Sequence, residues 1–233
     1  MNTSASAKGS LSPFDFLNFD LTTLLSGEVT SSETALRDFP QSTQDSELLK
    51  QLSFVPGLKE ILMVRQVHAL EHATVWVLGE SKSVYPAAGK STNIQVDNEL
   101  LSGLSTEHGF YLYGEVNISD LRRAVALARH RLTSGEWDLA VHPRCGTNLS
   151  VAMLLTAGLV VGVNLILPFR PIEQLIGLGL AATTAAELAP DLGSLAQRYL
   201  TTAIPFNLTI ENITLTRDVW GRQGHFVKVN WQD

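Results

Sequence analysis

At 233 residues and 25.4 kDa the chain is long enough for one or two domains and a sizeable core. Only 17% of residues are charged, against about 25% in an ordinary soluble domain, and mean hydropathy is +0.11, so part of the chain is expected to avoid water. A net charge of −6 argues against non-specific nucleic-acid binding, and the one cysteine, Cys145, excludes an intrachain disulfide framework and agrees with a reducing compartment.

Residues 1–47 read as a flexible Ser/Thr-rich N-terminal tail. The start, Met1-Asn2-Thr3-Ser4-Ala5-Ser6-Ala7-Lys8, has no apolar run behind its lysine, so no secretory signal is expected. Phe14, Phe16, Leu17 and Phe19 are sticky positions in that tail, with a docking segment at a membrane surface as the alternative. Residues 48–148 read as a cytosolic α+β portion. Lys59 to Leu78 has a helical pattern stopped by Gly79, and its polar members Arg65, His68, Glu71 and His72 fall on one stripe of an otherwise apolar surface. Ser81 to Gly109 is mixed. Phe110 to Val116 reads as a strand by its aromatic and branched content. Ser119 is the expected cap of a helix from Asp120 to Leu132, with Leu121, Val125 and Ala128 as its apolar face.

Val151 to Phe169 carries no charge and only Thr156 and Asn164 as polar interruptions. At about 1.5 Å per residue it spans about 28 Å, close to the roughly 30 Å bilayer core. Membrane insertion is therefore expected in preference to a buried core helix. Gly158 and Gly162 form a pair suited to close helix packing. After the turn Pro168-Phe169-Arg170-Pro171, a second apolar stretch from Leu175 to Ala189 is rich in small residues, which predicts a two-helix transmembrane hairpin over 149–189. Arg122, Arg123, Arg129, Arg131 and Arg144 precede it and Arg198 follows, with only Arg170 in the turn, so both soluble flanks are expected in the cytoplasm. Residues 190–233 read as a C-terminal cytosolic β-rich tail, with short strands at Leu208/Ile210, at Ile213/Leu215 and over Gly224 to Val229.

Two clusters carry candidate chemistry. His68-Ala69-Leu70-Glu71-His72 has the form H-x-x-E-H, in which two histidines one helical turn apart stand about 6 Å apart at the backbone and one zinc ion bridges them. Glu71 stays on that side, either as a further ligand or as a base for proton transfer. The same pattern also arises by chance on solvated or hydrogen-bonded helix faces. His142-Pro143-Arg144-Cys145 offers an imidazole and a thiolate around a proline-fixed turn just before the apolar span. Either His142 and Cys145 both join the helix histidines and close a four-ligand site, or one joins and leaves a position for water. Arg144 lies where it would lower the Cys145 thiol pKa or hold an anion. Zn2+ is the expected cofactor, with Fe or Mn as alternatives. Among weaker candidates, Glu136 and Asp138 are expected to orient a ligand histidine. His108, beside Glu107, is a surface turn or a partner of a ligand; His130 is a solvated helix residue and His225 a tail residue. Gly89-Lys90-Ser91 lacks the glycine spacing of a phosphate loop, and no G-x-S-x-G frame is present.

The H-x-x-E-H helix, the His142-Pro143-Arg144-Cys145-Gly146-Thr147 turn leading into an apolar hairpin, and the Gln197-Arg198 and Thr201-Thr202 segment resemble an uncharacterised bacterial membrane-protein family of predicted metal-dependent enzymes. The resemblance runs from about Leu62 to Thr202 and looks like that of a cyanobacterial relative. It implies that His68, Glu71, His72, His142 and Cys145 are the candidate metal positions. Leu70 departs from the small residue usual in the first motif, and the strand-like tail stands where a helix is expected. The resulting expectation is an integral membrane protein of the plasma or thylakoid membrane acting as a zinc-dependent hydrolase, protease-like or amidase-like. In it His68, His72 and one of His142 or Cys145 hold the ion and Glu71 is the base. The alternative is a structural zinc-binding membrane scaffold or assembly factor, and third a metal-free adaptor. Expected partners are membrane lipid and either other membrane proteins or a homo-oligomer, with no nucleic acid.

Overall fold

The structure, a computed structural model, describes residues 44–83, 100–166 and 170–232. The aromatic positions Phe14 to Phe19, most of the expected tail, and Pro168 and Phe169 lie outside the described residues.

A short helix, α1 (Gln44–Gln51), leads into α2 (Leu58–Ser83), the long helix that carries the first motif. The sequence pattern stops this helix at Gly79, yet it continues to Ser83. A glycine inside a helix costs only about 1 kcal/mol, and burial of Val75, Trp76, Val77 and Leu78 in the final turns outweighs that. A hairpin of β1 (Ser102–Thr106) and β2 (Gly109–Tyr113) follows, then α3 (Ile118–Thr133). The α3 cap is Asn117, whose side chain accepts the Ser119 N–H at 2.8 Å, rather than Ser119 itself. A 3-10 turn (Trp137–Ala140) leads to α4 (Gly146–Ile166) and α5 (Pro171–Ala196). A π-helical turn (Gln197–Thr201) ends α5, and β3 (Leu208–Arg217) and β4 (Gln223–Trp231) complete the chain. The architecture is α+β, with one antiparallel sheet in the order β1-β2-β4-β3.

The two short stretches expected near Leu208 and Ile213 are one strand. Its register shifts between Ile210 and Asn212, so Glu211 is an inserted residue that changes the phase of the alternation. Each half therefore looks like a separate strand in the sequence. α2 and α3 cover the sheet, and Leu70, Phe110, Leu112, Leu121, Val125 and Val227 form a closed core between them.

α4 and α5 are long and apolar enough to cross a membrane. A core helix of a soluble protein meets the same test, but such a helix is mostly buried, and α4 has no buried residue. Met153, Leu154, Leu165, Ile172, Leu175 and Leu180 all stand at least 64% exposed, a run of exposed apolar side chains unusual for a soluble monomer. The second helix is longer than the Leu175 to Ala189 expectation because small residues continue past Pro190. Its buried positions are Gly177, Ala181, Ala185, Ala189 and Gly193, one every fourth residue, a stripe that lets the α4 backbone approach closely. Gly158 and Gly162, the pair expected to serve that packing, do not: a Cβ at either meets nothing within 4 Å. The close contact is made by the stripe on α5.

Ala185→Leu, on that stripe, is expected to force the helices apart and lower stability by about 1–3 kcal/mol, read as a lower melting temperature in detergent. Leu180→Ala, on the exposed face, should change it by less than about 0.5 kcal/mol; equal effects would contradict this packing.

Candidate metal centre

One turn of α2 brings the rings of His68 and His72 to a centroid separation of 4.3 Å. What fixes their orientation comes from elsewhere in the chain. Nδ1 of His68 lies 3.0 Å from the Thr201 carbonyl, and Nδ1 of His72 lies 2.6 Å from the Ala140 carbonyl. A carbonyl only accepts, so each imidazole carries its proton on Nδ1 and keeps the Nε2 lone pair for a ligand. Cys145 completes the group: its Sγ is 3.3 Å from His68 Nε2 and accepts the Thr147 N–H at 3.4 Å. The donor atoms of His68, His72 and Cys145 all lie within 4.8 Å of one another. Ligands tetrahedrally placed on zinc would stand about 3.5 Å apart for a nitrogen and a sulfur, so the group is close enough that it could hold a metal ion after a small adjustment. Burial pushes the Cys145 thiol up, but the nearby His72 ring, with the Thr147 N–H and hydroxyl, brings it below its ordinary value.

His142 stands outside this trio. It is buried, with its ring 5.6 Å from that of His72 and 4.7 Å from that of Trp76. Its Nδ1 accepts the Arg144 N–H at 3.2 Å, so that lone pair is already engaged by the turn. Glu71 is buried against β1, where its carboxylate accepts from the Ser105 hydroxyl. Desolvation holds its carboxyl above the usual range, with the Ser105 hydrogen bond and the nearby His68 partly offsetting this. Room for the carboxylate exists because residue 103 has no side chain, since a Cβ at Gly103 would overlap it. Glu71, the three donors and β1 line an open cleft of about 410 Å³.

The turn that carries Cys145 is fastened to both apolar helices. Gln197, fully buried, accepts the His142 N–H at 2.8 Å and donates to Asn148 Oδ1 at 2.7 Å. Asn148 in turn donates to the Pro143 carbonyl at 2.7 Å. A Cβ at Gly193 would collide with Asn148, so the last small residue of the α5 stripe is what admits this network.

The expected carboxylate orienters lie elsewhere. Asp138 pairs with Arg198 at 2.6 Å on the surface, and Glu136 pairs with Arg131 at 2.6 Å. Backbone carbonyls do that work instead, and they leave no trace in residue identity. His108 is exposed beside Glu107 in the β1–β2 turn, His130 is exposed on α3, and His225 sits in β4. Sequence reasoning also passed over Gly103 and Ser105, and it singled out Gln197 only as part of the resemblance, with no role at the site. Gln197 and Thr201 had a signal: polar residues immediately after an apolar helix, in the same stretch as the Thr201-Thr202 pair.

The fold and this group define an α+β protein with two apolar helices and a three-donor His/Cys cluster suited to a metal ion. The chain belongs to the family described as Domain of unknown function (DUF6391), whose model matches residues 63–213. That range contains every residue of the centre. The chain is 55% identical over 194 residues to an uncharacterized protein of Picosynechococcus sp. (strain ATCC 27264 / PCC 7002 / PR-6), covering 83% of this chain and 92% of that protein. No solved structure matches. The expectation of an uncharacterised family with a cyanobacterial member is met; the family and relative carry no named enzyme activity.

Asn148→Ala removes no donor but frees the Cys145 turn, and it is expected to weaken metal binding about 10–100-fold. Chelator competition on detergent-solubilised protein reads this directly; unchanged affinity would mean the turn is held by other contacts.

Proposed function

We propose that the protein is a membrane-anchored zinc-dependent hydrolase, protease-like or amidase-like, with His68, His72 and Cys145 holding the ion and Glu71 acting as base. The observation that carries this reading is the placement of three pre-oriented donors and a separate buried carboxylate on one open cleft. Two imidazoles and a thiolate are a donor set that zinc favours. A zinc ion held there supplies Lewis acidity and lowers the pKa of water at its remaining position. Glu71, which is not one of the converging donors, accepts a proton at its carboxylate and passes it to the leaving nitrogen. The Ser105 hydroxyl donates to this carboxylate and holds it in place against β1. α4 and α5 form the anchor, and the arginine distribution argues for both soluble flanks on the cytoplasmic side. Cys145 directly precedes α4, so the site lies at the membrane face.

One observation favours a second reading, a structural zinc scaffold. The donors join α2 to the residue that opens α4, so an ion there also fastens body to hairpin. A closed shell would require His142 to give up its bond to the Arg144 N–H.

Elemental analysis of detergent-purified protein should give about one metal per chain in the wild type and almost none in His68→Ala/His72→Ala. Absence of metal from both would remove both readings. In the cobalt-loaded protein, acetohydroxamate should shift the visible spectrum by entering the open position; an unresponsive tetrahedral spectrum would favour the scaffold.

Glu71→Gln should retain the metal and lower hydrolysis of a casein-peptide mixture about 10²–10⁴-fold. Turnover equal to wild type would remove Glu71 from the chemistry.

A further inference from the structure

Among the described residues β1 is an edge strand of the sheet. It pairs with β2 on one side, and among the described residues no backbone group bonds to its other side. Leu101, Ser102, Gly103, Leu104 and Ser105 all line the cleft that holds the metal donors. Side chains of consecutive strand residues point to opposite faces, so no single face of the sheet presents all five. What they share is the strand's edge, and the cleft therefore runs along it.

The register states which backbone groups face the cleft. Thr106 and Gly109 close the hairpin, and pairs along an antiparallel ladder alternate between bonded and non-bonded. Ser102, Leu104 and Thr106 thus bond to β2, while Gly103 and Ser105 turn their N–H and C=O groups outward. The opposite strand agrees: the carbonyl of Leu112, the partner of Gly103, lies against Gly224 of β4 and not toward β1. The edge also lacks the features that keep strands from pairing. Ser102-Gly103-Leu104-Ser105-Thr106 has no lysine, no proline and no bulge.

We propose that this edge binds a polypeptide segment in extended conformation, which adds to the sheet as a further strand and is thereby led past His68, His72 and Cys145. The substrate class is an unfolded or extended peptide chain, recognised through its backbone and by the apolar cleft walls at Val64, Val75 and Leu104. The catalytic half of this inference rests on the hydrolase reading above. The strand-addition half does not, and the test separates them.

The probe is acetyl-Leu-Ala-Leu-Ala hydroxamate, with two analogues N-methylated at both Ala or at both Leu amides, added to full-length protein in detergent. An added strand turns only alternate amides toward β1. One methylated analogue should therefore lose binding by about tenfold or more, while the other binds like the parent. Hydrogen exchange gives a readout independent of metal. The Gly103 and Ser105 amides should exchange quickly in the free protein and at least about tenfold more slowly with the peptide, while Leu104 stays protected throughout. Equal losses from both methylated analogues, no loss from either, or Gly103 and Ser105 already protected in the free chain would each overturn strand addition. Acetohydroxamate binding to cobalt-loaded protein without peptide protection would sink this inference and leave the metal reading standing. Protection without any metal uptake would do the reverse.

Discussion

The candidate centre depends on two hydrogen bonds from imidazole nitrogens to backbone carbonyls. Thr201 O holds His68 and Ala140 O holds His72, and neither carbonyl belongs to an element near α2 in sequence. The π turn explains why the first is available. Its wider winding, with the Thr202 N–H bonding back to Gln197 O at 3.0 Å, directs the carbonyls of Tyr199, Thr201 and Thr202 sideways. Arg65 takes the first and last of these at 3.2 and 3.1 Å, and His68 takes the middle one. A buried carbonyl left without a donor would cost about 1–3 kcal/mol. The helix end and the histidine thus solve each other's problem, and the ring is oriented before any ion arrives.

This arrangement ties the site to the apolar hairpin more closely than chain order suggests. α5 supplies the π turn that orients His68, the Gln197 side chain that pins His142, and the Gly193 position that admits Asn148. α4 supplies Asn148 and begins one residue after Cys145. The fourfold spacing from Gly177 to Gly193 sets how near the two helices lie. The packing of the two apolar helices and the position of the Cys145 turn are therefore linked through Gly193, Asn148 and Gln197. The site is as much a product of the hairpin as of the sheet and helices that bear most of its donors.

Residue identity made some of this legible and hid the rest for physical reasons. The α2 stripe and the His142–Cys145 turn stood out because imidazole and thiolate are rare groups at telling spacings, and α4 stood out because an uncharged span is rare in a low-charge chain. β1 was hidden because Ser-Gly-Leu-Ser-Thr has little strand preference; it is a strand through pairing with Phe110 to Tyr113, a tertiary effect. β3 looked like two pieces because a bulge at Glu211 reverses its alternation. The orienting groups of the histidines were misassigned to Glu136 and Asp138, since carboxylates are visible in a sequence whereas the carbonyls that act are present at every residue. Gly158 and Gly162 carried the familiar packing signature, yet an alanine-rich stripe does the same work with less conspicuous letters.

Glu71 bears on whether the centre is only a fastening. A buried carboxyl is costly to desolvate, and its raised pKa records that cost. A clamp between α2 and the hairpin needs only the donors of His68, His72 and Cys145, and an apolar residue at position 71 would fill the space against β1 with less penalty. Instead the structure keeps the acid, gives it the Ser105 hydroxyl, and leaves residue 103 without a side chain to make room. These three adjustments converge on the wall of the cleft and none strengthens the join between body and hairpin. A desolvation cost borne at the cleft wall, with no gain to the join, favours the proposed catalytic reading over a purely structural one.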